Sequence, residues 1–395
     1  MKAVLIPVAN GYGSTVRLLA VAKVLRSRGH EAVFAAGDRL HEVIAQHGFE
    51  PRAIVEVEVD EQSEVPTTIQ FLRKQAAGDF LERQVKDVIR IIRDFRANVV
   101  IFSQSNAAAI AAGVEDLPSV SIFHPTIMEF HDWETFTALF VKWRKFFALK
   151  SVFPLKREVP SSILGDLNFI PSIPPLVYWP FIQAPEIYLR KRPVKNIGGL
   201  IRTRPEELPS QAELKREFGV DGRQLIYATL GGAAADPRFL GIVVDGLRRS
   251  GCKALLTPGG GASQALIDGL SDENVRVVRF LPEAMRAIKA CDVLVWHGGH
   301  ETMLEAVAAA KPAIGIPIQF DQDENVSLLE KSGAGVRIDR RKLAPETLAE
   351  AIARVLSDPA FAQAAQRLKR INDSLGGPER LVEETEALVE RGRRV

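Results

Sequence analysis

Trp296-His297-Gly298-Gly299-His300-Glu301-Thr302-Met303-Leu304-Glu305-Ala306 decides the reading of this chain. Residues 293–295 before it are all apolar, as a strand covered on both faces of a parallel sheet requires. Two glycines then let the backbone pass close to a ligand, and a helix begins at about Glu301. The N–H groups of its first turn and the positive end of its dipole make an anion site. Thr302 adds a hydroxyl, and His297 can donate to a phosphate oxygen. Glu305 lies one turn past Thr302 on the same face, placed to accept two hydrogen bonds from a ribose diol. Phosphate donors followed by a diol acceptor are what a nucleotide requires.

The next strand leads into Pro317-Ile318-Gln319-Phe320-Asp321-Gln322-Asp323-Glu324-Asn325. Asp321 and Gln322 fall at a strand-to-helix turn and can grip vicinal sugar hydroxyls. Asp321 also suits the N-cap of a helix starting near Gln322. Outward from here the same α/β rhythm continues. Strands are expected at 224–230, ending in Gly231-Gly232, and at 253–257, 275–278 and 313–316, with a last charged helix at 379–391. The N-terminal half repeats it. A strand at 3–8 is followed by the loop Asn10-Gly11-Tyr12-Gly13-Ser14-Thr15 and a helix over 16–28 that Gly29 stops. A strand at 31–35, a long helix within 67–95, a strand at 98–102, a helix at 107–113 and a strand at 119–123 follow. The pattern is that of two doubly wound α/β domains. Their expected extents are 1–205 and 206–395, with a linker at about 190–209.

The 395 residues suit two domains. A net charge of +2 gives no case for a nucleic-acid partner. Two cysteines, Cys252 and Cys291, in apolar strand-like contexts do not make a disulfide framework, which favours a reducing compartment. The start reads as a first strand and not as a signal peptide, and no apolar run reaches the ~20 residues of a spanning helix. A cytoplasmic protein is expected. The section at about 124–185 breaks the rhythm with many aromatics and prolines. It lines a pocket for an apolar or aromatic acceptor, or packs as core, or makes a peripheral membrane contact through 133–150. Trp143, Phe146 and Phe147 beside Lys142, Arg144 and Lys145 would supply that contact.

His297, Gly299, Thr302, Glu305, Lys311-Pro312, Pro317, Asp321, Gln322 and Asn325 stand at the spacing of a known donor motif. By these residues the chain resembles the nucleotide-sugar glycosyltransferases of the GT-B fold, in the branch holding UDP-glycosyltransferases and transferases of bacterial natural-product pathways. The resemblance implies two Rossmann-like domains facing a cleft, with the last helix packing back on the first domain. It implies a UDP- or dTDP-linked sugar as co-substrate, no metal, and inversion at the anomeric carbon. His297, Gly299, His300 and Thr302 would bind the diphosphate, with Glu301 beside them. Glu305 would bind the ribose, and Asp321 and Gln322 the sugar hydroxyls. Phe280-Leu281 matches the segment against the base, where the family often has Trp, and Gly231-Gly232 matches its glycine-rich turn. Partners are then a nucleotide sugar, a small acceptor and, as an open expectation, a second copy of the chain in a homodimer.

The N-terminal half departs from the family. Arg28-Gly29-His30-Glu31 fixes the register, so Gly13 falls on the family glycine, Ser14 on its catalytic histidine and Arg17 on its proline. The family Asp that holds that histidine falls near Ser103. A serine hydroxyl is too weakly basic at neutral pH to replace an imidazole. Three readings follow. A base comes from His124, Glu129, His131 or Asp132, past a strand end; or the acceptor is acidic enough to need none; or the protein is a catalytically weak or partner-dependent relative. A sugar-nucleotide epimerase is a further rival, but Ser14 and Ser103 do not supply its acidic groups.

Overall fold

In the computed structural model, the parallel strands form two separate sheets. The structure describes residues 1–8, 12–56, 73–74, 77–123, 144–159, 164–177, 194–220, 222–231, 236–259, 262–318 and 320–392, without the side chains of Phe320 and Asp321. His124, Glu129, His131, Asp132 and Gly232 lie outside them, as does most of the aromatic section. The chain divides into two compact units. One comprises Met1–Pro171, Trp179–Arg202 and Gly376–Val395, the other Ser172–Tyr178 and Thr203–Leu375.

The first sheet runs β3-β2-β1-β4-β5-β6-β7. Its strands are β1 (Lys2–Ile6), β2 (Glu31–Ala36), β3 (Glu50–Ala53), β4 (Val99–Ser103), β5 (Ser119–Ile122), β6 (Leu167–Ile170) and β7 (Val194–Asn196). The helices of this unit include α1 (Tyr12–Ser27), α2 (His41–Gln46), α3 (Phe80–Phe95) and α4 (Asn106–Val114). Alternation along the strands builds two cores. Ala3, Leu5, Val99 and Ile101 face α1, while Val4, Ile6, Val100 and Phe102 face α3 and α4. Each large side chain so buried contributes about 1.5–3 kcal/mol. The strands β3, β6 and β7 were not legible as strands. Glu50-Pro51-Arg52-Ala53 has no apolar run, and Val194–Asn196 is three residues inside the expected linker, which therefore forms the edge of the first sheet.

The second sheet runs β10-β9-β8-β11-β12-β13. Its strands are β8 (Leu225–Thr229), β9 (Lys253–Thr257), β10 (Val275–Val277), β11 (Val293–Trp296), β12 (Ala313–Gly315) and β13 (Gly335–Arg337). Its helices are α5 (Gln211–Glu217), α6 (Pro237–Arg249), α7 (Gln264–Leu270), α8 (Ala284–Ala290), α9 (His300–Ala308), α10 (Phe320–Lys331), α11 (Pro345–Ser357) and α12 (Pro359–Leu375).

The last helix, α13 (Gly377–Gly392), belongs to the first unit. Leu381, Val382 and Val389 enter the core that faces α1. Gly376 and Gly377 take positive φ, and the Gly377 N–H reaches the Ile197 carbonyl at 2.8 Å. Arg28 then pairs with Glu383 at 2.7 Å and Glu386 at 3.0 Å.

Within the aromatic section, residues 144–152 are helical. Phe146 is fully buried in the α3–α4 core, so it cannot enter a membrane surface; Phe147 on the same turn is exposed. Among the described residues no helix is long and apolar enough to cross a membrane.

Candidate functional site

In the second unit, β8 and β11 are neighbours, with Trp296 level with Thr229. Their C-terminal ends carry Gly231 and His297. The His297 ring lies against both glycine turns. A Cβ at Gly231 would come within 2.6 Å of its Nε2, and one at Gly299 would also come within 2.6 Å. Neither position tolerates a side chain while the ring stays where it is, and Gly231 also has φ of +65°. The ring's Nδ1 lies 3.4 Å from the Thr229 carbonyl oxygen, which fixes its orientation.

The turn is tied from behind. The Asn325 amide donates to the Gly298 carbonyl at 2.9 Å, from a side chain only 2% exposed. The Trp296 indole N–H donates to the Gly299 carbonyl at 3.3 Å, and the Met303 N–H reaches the same oxygen at 3.1 Å. A trans peptide points its C=O and the following N–H in opposite directions. Tying both carbonyls back therefore turns the N–H groups of Gly299 and His300 the opposite way, that of His300 outward from the N-terminal end of α9. Gly298 has φ of +95°, and a Cβ there would meet the Gln322 backbone at 2.5 Å. Gly315 is also required, because Trp296 and Val326 pack against its backbone.

Helix α9 starts at His300, one residue before the expected Glu301, with Gly299 as an N-cap that offers no side-chain bond. The first turn thus lacks the usual hydroxyl or carboxylate cap, and an anion can take that place. Met303, Leu304, Ala306, Val307 and Ala308 are buried, whereas Glu301, Thr302 and Glu305 are half-buried on the other face. Thr302 and Glu305 share that face, as their spacing predicts. His300 lies beside Glu301, with Nδ1 3.4 Å from its carboxylate.

One expectation changes here, and a second residue gains a structural contact. Helix α10 starts at Phe320, so Asp321 sits inside its first turn and is not the N-cap. Gln322 is buried, and its side-chain carbonyl accepts from the Ile318 backbone N–H at 3.0 Å. It braces the Pro317–Asp321 turn. Phe280 is 65% exposed beside a half-buried Leu281, as a ring offered to a ligand would be. Among the described residues no three His, Cys, Asp or Glu side chains group as a metal site.

In the first unit, α1 begins at Tyr12, four residues before the expected start, so Gly13 and Ser14 lie in its first turn and not in a loop. Ser14 is buried, and its Oγ accepts the Val8 N–H at 3.1 Å, closing the β1–α1 turn. Ser103 ends β4 and is buried. Neither position holds an ionisable group. Sequence reading gave no role to Asn325, Trp296 or Asn106; the first two stood in or beside the motif, and the third read only as a residue ahead of a helix.

Residues 255–375 match the glycosyltransferase family 28 C-terminal domain. The chain is 24% identical to an uncharacterized glycosyltransferase of Methanosarcina acetivorans, over 96% of each chain. Its fold matches the glycosyltransferase SnogD of Streptomyces nogalater with a TM-score of 0.68 at 22% identity, over 98% of this chain and 99% of SnogD. It matches the spinosyn rhamnosyltransferase SpnG with a TM-score of 0.74 at 18% identity, over 98% of this chain and 100% of SpnG. Two parallel Rossmann-like sheets give this chain the GT-B fold of those transferases, and the family 28 match lies over the donor motif, which supports a glycosyltransferase.

Proposed function

We propose that the chain moves a sugar from a UDP- or dTDP-linked donor to a small apolar or aromatic acceptor, with inversion at the anomeric carbon and without a metal. One observation carries the reading: the His297–Gly299 turn, tied back by Asn325 and Trp296, in front of an uncapped helix. That arrangement concentrates N–H donors where a diphosphate would gain charge as it leaves. His297 and Thr302 add side-chain donors there, and Glu305 accepts from the ribose. Phe280 stacks on the base. Asp321 holds the sugar hydroxyls from a turn that Gln322 braces. SpnG is known in complex with thymidine diphosphate and with spinosyn aglycone, which supports a dTDP-linked donor and an aglycone acceptor.

The acceptor oxygen attacks the anomeric carbon, and the bond to the diphosphate breaks with its electron pair on the leaving oxygen. The acceptor proton has two routes. His124 or His131 takes it, or the acceptor arrives already ionised; Ser14 and Ser103 do not take it.

A screen of UDP- and dTDP-sugars for donor hydrolysis and thermal stabilisation tests this without knowledge of the acceptor. A productive donor should be cleaved slowly to free sugar and diphosphate. A saturating nucleotide at a hundredfold excess over its Kd should stabilise the fold by ~2.7 kcal/mol. Binding without any cleavage or transfer would favour the partner-type reading. Conversion of one nucleotide sugar into another would favour an epimerase.

A further inference from the structure

The turn Ser103-Gln104-Ser105-Asn106 joins β4 to α4 in the first unit. Ser103 is 1% exposed and its Oγ has no hydrogen-bond partner among the described residues. Asn106 is 2% exposed, and neither Oδ1 nor Nδ2 has one. Buried polar groups are almost always satisfied, because leaving them unpaired forfeits their hydration. Between them Gln104 takes φ of +52°, a left-handed backbone that a residue with a Cβ adopts at a cost. Neighbouring groups are satisfied. Ser105 Oγ accepts the Ala108 N–H at 3.3 Å as the N-cap of α4, and Ser14 Oγ accepts from Val8. Within this turn the unmet hydrogen bonding thus falls on two side chains, Ser103 and Asn106.

That turn has a meaningful place. β4 pairs with β1, while β2 and β3 extend the sheet on one side and β5 to β7 on the other. The order reverses between β1 and β4, and open α/β sheets bind ligands just outside the C-terminal strand ends at such a point. The two side chains are neutral and rich in donors. Asn106 offers two N–H donors and Ser103 one O–H. α4, nine residues long, turns the positive end of its dipole toward the same rim. Position 14 and position 103 hold no imidazole and no carboxylate.

We infer that Ser103 and Asn106 hold the reacting oxygen of an acidic acceptor, a phenolate or carboxylate, as its anion. This rests on the glycosyltransferase reading and adds the acceptor's chemical class to it. The anion supplies the electron pair that forms the new bond to the anomeric carbon. The anomeric bond to the diphosphate breaks, and its pair leaves with the nucleotide. The acceptor's proton has already gone to solvent, so the step needs no base at position 14 or position 103.

The test uses the full chain and 4-nitrophenol, whose phenolate is read by absorbance, with benzoate and benzyl alcohol as matched probes. 4-Nitrophenol should bind as phenolate at a pH below its solution pKa, benzoate should compete, and benzyl alcohol should not. Asn106→Asp keeps the size and adds a negative charge. It should lower affinity for 4-nitrophenolate and benzoate about 10–100-fold, as expected when a hydrogen bond to a charged group becomes a repulsion. Asn106→Ala and Ser103→Ala should weaken the same binding yet leave the melting temperature unchanged or raised, since each removes an unpaired buried group. A large fall in melting temperature would make these residues structural and overturn the inference. So would binding of 4-nitrophenol as neutral phenol, equal binding of benzyl alcohol, or no binding of the anions. UDP and dTDP binding is measured on the same preparations. If nucleotides bind and phenolate does not, only this inference fails; if no nucleotide binds, the glycosyltransferase reading fails first.

Discussion

The imidazole of His297 occupies the space that a side chain on Gly231 would need, with Nε2 within 2.6 Å of the missing Cβ. The two residues come from neighbouring strands, and the glycine exists to let the ring lie flat against the β8 turn. Gly231→Ala must therefore push the ring aside and strain a backbone at φ of +65°. If His297 donates to the diphosphate, the glycine and the histidine act on one interaction. His297→Ala and Gly231→Ala should each weaken nucleotide binding by ~1.5–3 kcal/mol, the loss for a hydrogen bond to a charged group. The double variant should be little worse than either single one, because coupled sites are not additive. Calorimetric titration with UDP and dTDP closes the cycle. Additive losses would mean that the glycine matters for another reason.

Phe280 is one of the few large apolar side chains left exposed among the described residues. An exposed ring adds little to folding, so its substitution separates binding from stability. Phe280→Ala should leave the melting temperature in place and weaken nucleotide binding by ~0.5–1.5 kcal/mol, the size of a stacking contact. Phe280→Trp should bind as well or better. A loss of stability in Phe280→Ala would show that the ring packs on protein and not on a base.

The docking of α13 should depend on pH. Glu386 sits between Arg28, at 3.0 Å, and the His30 ring, at 2.7 Å, with Glu383 on the same helix face. Partial burial raises the pKa of the Glu386 carboxyl. The hydrogen bond from His30 and the charge of Arg28 outweigh this, and the net shift is downward from 4.5. A carboxylate depressed in the folded state contributes stability that is fully present above its unfolded value and is lost as pH falls through its folded value. Acid below about pH 4.5 should therefore loosen the last helix first. Amide exchange across Gly377–Gly392 should rise there in the wild type, and Glu386→Gln should flatten that dependence. An unchanged acid profile in the variant would remove Glu386 from the clasp.

Much of this could be read from residues, and the failures have physical causes. The doubly wound plan followed from runs such as Ala3–Ile6 and Val293–Val295, which are apolar because both faces of each strand are covered. The last charged helix was legible in the sequence, and its return to the first domain followed from the family resemblance. Strands β3 and β13 were missed because an edge strand is short and half solvated, so it carries no long apolar run. Gln322 was read as a ligand group from its motif position, and its bracing of the turn was not legible there. Only the fold could show that its carbonyl oxygen is taken by Ile318. Asn106 left no trace in the sequence, because its meaning lies in partners it lacks.

Asn325 is the residue whose removal should best separate the shape of the donor site from its chemistry. It touches no expected ligand group; its amide N–H reaches the Gly298 carbonyl from a fully enclosed position. That bond helps decide which way the Gly299 N–H points, since carbonyl and following N–H are opposed across one planar peptide. Asn325→Ala leaves the Gly298 carbonyl buried without this donor, at a cost of ~1–3 kcal/mol in stability. Asn325→Asp replaces the donor with a carboxylate, so it should cost at least as much and push the carbonyl away. In both variants the side chains of His297, Thr302 and Glu305 are intact. If the tied-back turn is what presents the donors, turnover of a nucleotide sugar should still fall ~10²-fold or more, comparable to losing one preorganised donor at a developing anion. Bare UDP or dTDP should bind less tightly too, and by a similar amount in each variant. Denaturant unfolding identifies the fraction folded at the assay temperature, so that lost activity is not mistaken for lost protein. Normal turnover in a folded Asn325→Ala enzyme would show that Trp296 and Met303 hold the turn without it.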